Sequence, residues 1–218
     1  MESTNISSSN IGYLEFIKDI YEVSNICSTM TYIWGGFTID VFEGRFLREH
    51  KDLDGFTYHL LDVLDEMVTL YQLRGYTTRF FEDIHMLEIS KNELHASFNR
   101  LDIDNETAMW RHIGDEGTVY FPISWLDDTP RNFYNQKVYT SGVRFEYAIK
   151  TNVRMINAEW QLRDKDYVSI EYLKKFIENE HIAEEDIFQR IWSYNPYWAK
   201  RGYEEFYRPT VEYPLLSR

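Results

Sequence analysis

The sequence predicts an α/β sheet lobe followed by a helical lobe. Short segments rich in β-branched and aromatic residues alternate with helical patterns over the first 145 residues, and helical periodicity dominates after them. Hydrophobic residues make up 44% of the 218 residues and aromatic residues 17%, which is enough for a packed core. A chain of this length forms one domain, or a core domain with a smaller second lobe.

The first third of the chain alternates helices and strands. Apolar residues at three-to-four spacing predict a helix over Ile11–Ile26, and polar residues before it offer an N-cap. Strands are predicted at Thr29–Trp34 and Asp52–Tyr58, because both are rich in β-branched and aromatic residues. A short helix, Phe37–Phe46, follows the first strand, and an amphipathic helix, Leu60–Arg74, follows the second.

The remaining elements are predicted from shorter patterns. Later strands are expected at Tyr76–Phe81, Met86–Ser90, Leu94–Leu101, Thr118–Trp125 and Gln136–Thr140. The polar stretch Asp102–Gly117 predicts a long loop. Helices are expected at Tyr147–Leu162, Ser169–Asn179 and Ala183–Tyr194. We therefore divide the chain into a sheet domain of residues 1–145 and a helical lobe of residues 146–218, whose aromatic-rich tail lies over the surface.

Composition limits the classes of protein and of partner. A net charge of -13 repels phosphate backbones, so a nucleic-acid partner is not expected. The single cysteine, Cys27, excludes a disulfide framework and a thiolate zinc site, and a reducing cytoplasm is the simplest location. No stretch reaches the roughly 18 apolar residues of a membrane span. No signal peptide is recognised, and the Ser- and Asn-rich first ten residues are expected to be disordered.

A glycine pair and an aspartate pair indicate phosphate and metal chemistry. Gly35 and Gly36 follow a strand and precede a helix, where a backbone without Cβ atoms can approach a phosphate closely. Asp52 and Asp54 lie two residues apart, so a strand places both carboxylates on one face. A divalent cation offsets their repulsion, and Mg²⁺ prefers such oxygen ligands together with substrate phosphates.

Charged side chains surround the aspartate pair. Arg48, His50 and Lys51 come just before it, where cations can bind phosphate oxygens and stabilise a leaving pyrophosphate. Asp40 lies within the short predicted helix. We expect it to be structural, paired with Arg45 or with Arg48.

In this order and spacing the stretch resembles the small-molecule nucleotidyltransferases of antibiotic resistance, especially the lincosamide nucleotidyltransferases and the aminoglycoside 2''-adenylyltransferases. Their pattern is matched here by Gly35, Gly36, Ile39-Asp40, Gly44, Arg48-Glu49-His50 and Asp52-Leu53-Asp54. A fainter similarity covers roughly residues 10–178, including Gly75-Tyr76 and the segment Leu162–Asp166. The resemblance implies a nucleotidyltransferase-like mixed sheet flanked by helices, with residues 1–145 as the catalytic domain.

The resemblance also implies the reaction and its participants. A nucleoside triphosphate, with ATP expected, donates its nucleoside monophosphate to a hydroxyl of a small molecule such as an aminoglycoside- or lincosamide-like antibiotic, and pyrophosphate leaves. Asp52 and Asp54 are the expected ligands of Mg²⁺ or Mn²⁺. Gly35, Gly36 and the cations Arg48, His50 and Lys51 are the expected nucleotide-binding residues. A cytoplasmic monomer or homodimer is expected, without a membrane or nucleic-acid partner.

One carboxylate of the family's pattern is missing. Family members carry a third acidic residue on a later strand, in a Leu-Asp-x-His-Pro run. Its best counterpart is Leu94–Phe98, with His95 in place of the aspartate and Ser97 in place of the histidine. A regular strand would put Glu93 on the same face as His95. The catalytic third position is therefore filled by Glu93, taken by His95, or lost.

Two other interpretations remain open at this level. The chain is a catalytically impaired protein of the same fold with a binding or regulatory role, if the loss of the third carboxylate abolishes activity. Alternatively it is an unrelated α+β binding module that carries the motif by chance. In the second case the aspartate pair would not lie beside the glycine turn.

Overall fold

The computed structural model describes residues 6–113 and 117–202, and a mixed eight-stranded sheet lies at its centre. The strands are β1 (Thr31–Trp34), β2 (Leu53–Tyr58), β3 (Thr77–Phe81), β4 (Met86–Lys91), β5 (Leu94–Asp104), β6 (Thr107–Ile113), β7 (Gly117–Pro122), β8 (Arg131–Phe133), β9 (Gln136–Val138) and β10 (Trp192–Tyr194). The helices are α1 (Ser8–Ile26), α2 (Gly36–Glu43), α3 (Leu60–Leu73), α4 (Gly142–Thr151), α5 (Asp164–Asn179), α6 (Glu184–Phe188) and α7 (Pro196–Ala199).

The sheet has the order β1-β2-β5-β6-β7-β10. Strands β2 and β5 are parallel, with Asp54 opposite Ser97, and the other pairs of strands are antiparallel. β4 pairs with the first part of β5 and β6 with the last part, while β3 pairs with β4. β8 and β9 form a separate hairpin. A parallel bridge joins Ile33 of β1 to Thr140, which brings the start of α4 to the end of β1.

Hydrophobic side chains on the two faces of the sheet form two clusters. One cluster packs α1 and α3 against the sheet, through residues such as Phe16, Met67 and Phe98. The other packs α4 and α5 against it, through residues such as Phe56, Phe145 and Leu173. No helix in the described part of the chain is long and apolar enough to cross a membrane.

The N-terminal elements follow the sequence prediction closely. Ser7 caps α1, because its hydroxyl accepts a hydrogen bond from the Asn10 N–H at 3.3 Å. The prediction that the first ten residues are disordered is therefore wrong from Ser8 onward, and residues 1–5 lie outside the described part. Helix α3 ends just before Gly75, which has a φ of +81° that glycine adopts easily.

The predicted loop over residues 102–117 is wrong for its described part. β5 continues to Asp104, Asn105 turns with a φ of 52°, and β6 returns antiparallel. Alternate residues of β6, including Trp110 and His112, are buried, whereas Arg111 on the other face binds Asp102. The polar face concealed the period-two pattern of a half-buried strand. Residues 114–116 lie outside the described part.

The C-terminal elements differ from their predicted bounds. α4 ends at Thr151, so the predicted helix to residue 162 is too long. The segment predicted as one helix over residues 183–194 divides into α6 and β10, because β10 completes the edge of the sheet beside β7. The predicted aromatic-rich tail contains α7. Residues 203–218 of this tail lie outside the described part of the chain. The division of the chain at residue 145 stays a prediction, and it falls within α4.

Candidate active site

The glycine turn, one aspartate and one arginine meet at the end of β1. Gly35 has φ 83° and ψ -147°, a backbone conformation that residues with a Cβ atom rarely adopt. A Cβ on Gly35 would lie 3.1 Å from Asp54 Oδ2, and a Cβ on Gly36 would collide with the guanidinium of Arg48. The turn is therefore closed on both sides by charged groups, and only glycine fits there. The chance-motif interpretation, in which Asp54 lies away from the turn, is wrong.

Asp54 is the more perturbed of the two aspartates. It lies half-buried on β2, where the Ser97 hydroxyl donates a hydrogen bond to Oδ1 at 2.8 Å, whereas Asp52 is exposed just before the strand. Burial raises the pKa of Asp54 to about 6, and the nearby charge of Asp52 adds to this increase. The Ser97 hydrogen bond and the charges of Lys150 and Lys165 oppose it. A cation bound at this carboxylate would offset the cost of burying its charge.

A cavity of about 400 Å³ opens beside this turn. Its charged lining is Arg48, Asp52, Asp54, Lys150, Arg163, Lys165 and Asp166. Four cations thus face three carboxylates, so the cavity is locally more positive than the chain, whose net charge is -13. Such a lining suits a polyphosphate that brings a divalent cation with it.

Helices α4 and α5, together with the residue before α5, supply cations that the sequence pattern did not predict for the site. Arg163 precedes α5 and binds Asp166 through Nε at 2.8 Å and Nη2 at 3.1 Å, while its guanidinium lies 4.8 Å from the centre of the Trp160 ring. Lys165 and Lys150 come from α5 and α4. The similarity of Leu162–Asp166 to the family was a signal for Arg163 and Lys165, but nothing in the local sequence distinguishes Lys150.

Glu93, His95 and Lys51 do not line this cavity. They line a second cavity, of about 850 Å³, formed with residues of α1. The expectation that Glu93 extends a regular strand is wrong, because Asn92 has a φ of 56° and Glu93 lies in the hairpin turn before β5. Leu53 lies opposite Ala96, so His95, the second residue of β5, lies at the level of Asp52. Among the described residues no three His, Cys, Asp or Glu side chains are grouped so that they could hold a metal ion.

The aminoglycoside-2''-adenylyltransferase model matches residues 16–125, just over half of the chain. The match includes the glycine turn, both aspartates and Ser97. The chain belongs to the aminoglycoside-2''-adenylyltransferase family. It is accordingly a nucleotidyltransferase, as its sequence resemblance predicted.

Solved adenylyltransferase structures share the fold of this family member. The antibiotic-resistance factor ANT(2'')-Ia matches with a TM-score of 0.63 and 13% identity over 82% of this chain and 90% of that chain. Its complex with adenylyl-2''-tobramycin matches with a TM-score of 0.59 and 14% identity, over 81% of this chain and 95% of that chain. The lincosamide antibiotic adenylyltransferase LnuA, with lincomycin bound, matches with a TM-score of 0.55 and 16% identity, over 78% of this chain and 98% of that chain. These matches confirm the predicted fold. No curated protein matches the sequence.

In this adenylyltransferase-family chain, His50 is a buried partner of Asp40. Its Nε2 lies 2.7 Å from Asp40 Oδ2, and the two side chains are 1% and 2% exposed. Asp40 also accepts the Leu47 N–H at 3.2 Å, so the predicted pairing of Asp40 with Arg45 or Arg48 is wrong. The expected contact of His50 with phosphate is not available to a ring this deeply buried. The pair instead holds the loop that carries Arg48.

We expect Asp40→Ala or His50→Ala to lower the free energy of unfolding by about 2–4 kcal/mol, because each leaves its buried partner without a hydrogen bond. Urea unfolding of the purified variants measures the loss. The control is Lys18→Ala, which removes an exposed ion pair with Glu22 at 3.8 Å and should cost less than about 0.5 kcal/mol. Equal, small losses at all three positions would show that the buried pair does not stabilise this loop.

Proposed function

We propose that this adenylyltransferase-family protein transfers a nucleoside monophosphate from a nucleoside triphosphate, ATP by preference, to a hydroxyl of a small molecule, with release of pyrophosphate. The observation that carries the proposal is the convergence of Asp54, the Gly35-Gly36 turn and Arg48 beside one cavity that Lys150 also lines. Carboxylates, close backbone and cations together are the groups that metal-assisted phosphoryl chemistry requires.

We further propose that Asp52 and Asp54 hold the divalent cation, Mg²⁺ or Mn²⁺. The donors are oxygens only, which suits both ions. Ser97 orients one oxygen of Asp54, and a bound cation would offset the cost of burying the charge of this carboxylate. When bound, such a cation neutralises phosphate charge and polarises the reacting phosphorus.

The chain's own side chains would perform the remaining tasks. Lys150 and Lys165 reach the cavity from the helical lobe, where they would neutralise the triphosphate. Arg48, which lies over Gly36, would stabilise the leaving pyrophosphate. His95, level with Asp52, is our candidate for the group that accepts the proton of the attacking hydroxyl, and Glu93 would act only after the hairpin turn moved.

We propose that the acceptor is an antibiotic hydroxyl, as in the two relatives whose names include tobramycin and lincomycin. The cavity has an apolar wall that includes Trp110, Trp160 and Ile149, which would pack against the carbon skeleton of an acceptor. The net charge of -13 disfavours a nucleic-acid acceptor. A cytoplasmic monomer or homodimer is consistent with this role.

Pyrophosphate release tests the proposal. The purified chain is incubated with each of the four ribonucleoside triphosphates, with Mg²⁺ or Mn²⁺, and with a panel of aminoglycosides and lincosamides. We expect release that depends on one acceptor class and on metal. Nucleotide binding by calorimetry without release for any acceptor would favour the catalytically impaired alternative, which the missing third carboxylate motivates. Neither binding nor release would contradict both.

A further inference from the structure

We infer that Glu146 is a positioning residue that sets the conformation of the Gly35-Gly36 turn from the opposite lobe. This inference rests on the proposed function, because it concerns how that turn receives a nucleotide. Glu146 lies on α4, and its side chain is 1% exposed. It is more than a hundred residues from the turn in sequence and lies outside the stretch matched by the family model.

Two hydrogen bonds fix the Glu146 carboxylate. The Gly35 N–H donates to Oε1 at 2.7 Å, and the Ser141 hydroxyl donates to the same oxygen at 2.6 Å. Both bonds are buried. Because the Gly35 N–H is occupied in this way, it is not free to bind phosphate, contrary to the simplest expectation for a glycine turn. The backbone beyond Gly35 and the start of α2 are left to face a ligand.

The glycine turn needs an external restraint. Glycine reaches the φ and ψ of Gly35, 83° and -147°, without steric cost, but many other conformations are open to it, so its surroundings must select this one. The neighbouring chain supplies part of this restraint, since Ser141 N–H donates to the Ile33 carbonyl at 2.9 Å. Glu146 supplies the bond to Gly35 itself.

The position of Glu146 also connects the turn to a cation. Lys150 follows it by four residues on α4, so both side chains project from the same side of the helix. Burial raises the pKa of Glu146, and the charge of Lys150 and the two hydrogen bonds oppose that increase. One helix face would thus hold the turn with its carboxylate and present an ammonium to the cavity.

The test compares substitutions that keep or remove the acceptor oxygen. Glu146→Gln retains an oxygen that can accept both bonds, whereas Glu146→Leu removes it at similar size. Glu171→Leu is the control, since Glu171 is exposed on α5 and away from the cavity. Each protein is titrated with a non-hydrolysable ATP analogue and Mg²⁺, its melting temperature is measured, and the Gly35 amide is followed by ¹⁵N NMR.

We expect Glu146→Leu to weaken nucleotide binding at least about tenfold and to shift the Gly35 amide proton upfield, since it loses a hydrogen bond to a carboxylate. Glu146→Gln should restore binding to within about threefold of wild type, and Glu171→Leu should match wild type. A folded Glu146→Leu variant with unchanged affinity would overturn the inference. So would a Gln variant as weak as the Leu variant, because the negative charge would then matter more than the bond.

The NMR arm separates this inference from the proposed function. If wild type binds no nucleotide, the proposed function fails, and the Gly35 amide still reports whether Glu146 holds the turn. If Glu146→Leu does not fold, the wild-type Gly35 amide decides, since a buried bond to a carboxylate gives it a downfield proton shift and slow exchange with solvent. A wild-type Gly35 amide that exchanges with solvent as fast as an exposed amide would mean that the bond to Glu146 is absent in solution.

Discussion

Replacing Asp54 by asparagine should lower kcat/KM for nucleotidyl transfer by roughly three orders of magnitude or more, because the amide cannot balance the charge of a divalent cation. Asp52→Asn should have a similar effect. Steady-state kinetics with saturating metal measure the loss. Asp104→Asn is the matched control, since Asp104 is exposed at the far end of β5, and its activity should equal that of wild type. A decrease in kcat/KM of less than about tenfold in Asp54→Asn would show that this carboxylate is not a ligand of the metal.

The same substitution should stabilise the metal-free protein at neutral pH. The pKa of Asp54 is raised from 3.8 to about 6, so the folded chain binds its proton more tightly than the unfolded chain. The destabilisation from its ionised form is absent below about pH 4, grows as pH rises to about 6, and is constant above that. We therefore expect Asp54→Asn to gain roughly 1–2 kcal/mol at pH 7.5, after allowance for its partial exposure.

Thermal melts across pH test this sign. The difference between Asp54→Asn and wild type should vanish near pH 4, and Mg²⁺ added together with a non-hydrolysable nucleoside triphosphate analogue should raise the melting temperature of wild type only. A variant that loses activity and gains stability identifies a site whose geometry serves function rather than folding. An asparagine variant that is less stable than wild type at pH 7.5 would contradict the cause assigned to the raised pKa.

Lys150→Met should lower kcat/KM by about a hundredfold or more. Among the described residues no ion pair holds its ammonium, and its charge already lowers the pKa of Asp54 across the cavity. Removing a preorganised positive charge from a phosphoryl-transfer site typically costs two to three orders of magnitude. The effect should appear in nucleotide KM as well as in kcat, since the ground-state triphosphate is also bound by this charge.

Two further variants make the Lys150 result specific. Lys174→Met removes an exposed lysine of α5 that does not line the cavity, so its kinetics should match wild type. Lys150→Arg keeps the charge and should recover part of the activity. If Lys150→Met and Lys174→Met behave alike, the cationic wall of the helical lobe does not contact the nucleotide.

The part of the site that lies close together in sequence was predictable. Gly35, Gly36, Asp52 and Asp54 come from two neighbouring strands, and their spacing specifies the turn and the paired carboxylates. His50 was assigned to phosphate because it lies between cations in sequence. Its burial against Asp40 depends on how α2 folds back, which the local pattern does not encode.

The part of the site contributed by α4 was not predictable from local patterns. Glu146 and Lys150 reach the site only because residues 139–141 pair with β1 and direct α4 along the sheet. A buried glutamate in an amphipathic helix has the same local sequence as an exposed one. The β5–β6 hairpin was missed for a related reason, since the polar face of β6 is satisfied by a partner, Asp102, on another strand.

Mn²⁺ binding with a non-hydrolysable nucleoside triphosphate analogue, followed by the loss of the free-ion EPR signal, tests the central claim most directly. We expect wild type to bind Mn²⁺ only with the nucleotide, and Asp54→Asn to lose this binding. Glu15→Gln, which changes an exposed carboxylate of the second cavity, should bind as wild type does. Binding that survives in Asp54→Asn, or that is lost in Glu15→Gln, would contradict a metal–nucleotide site at the glycine turn.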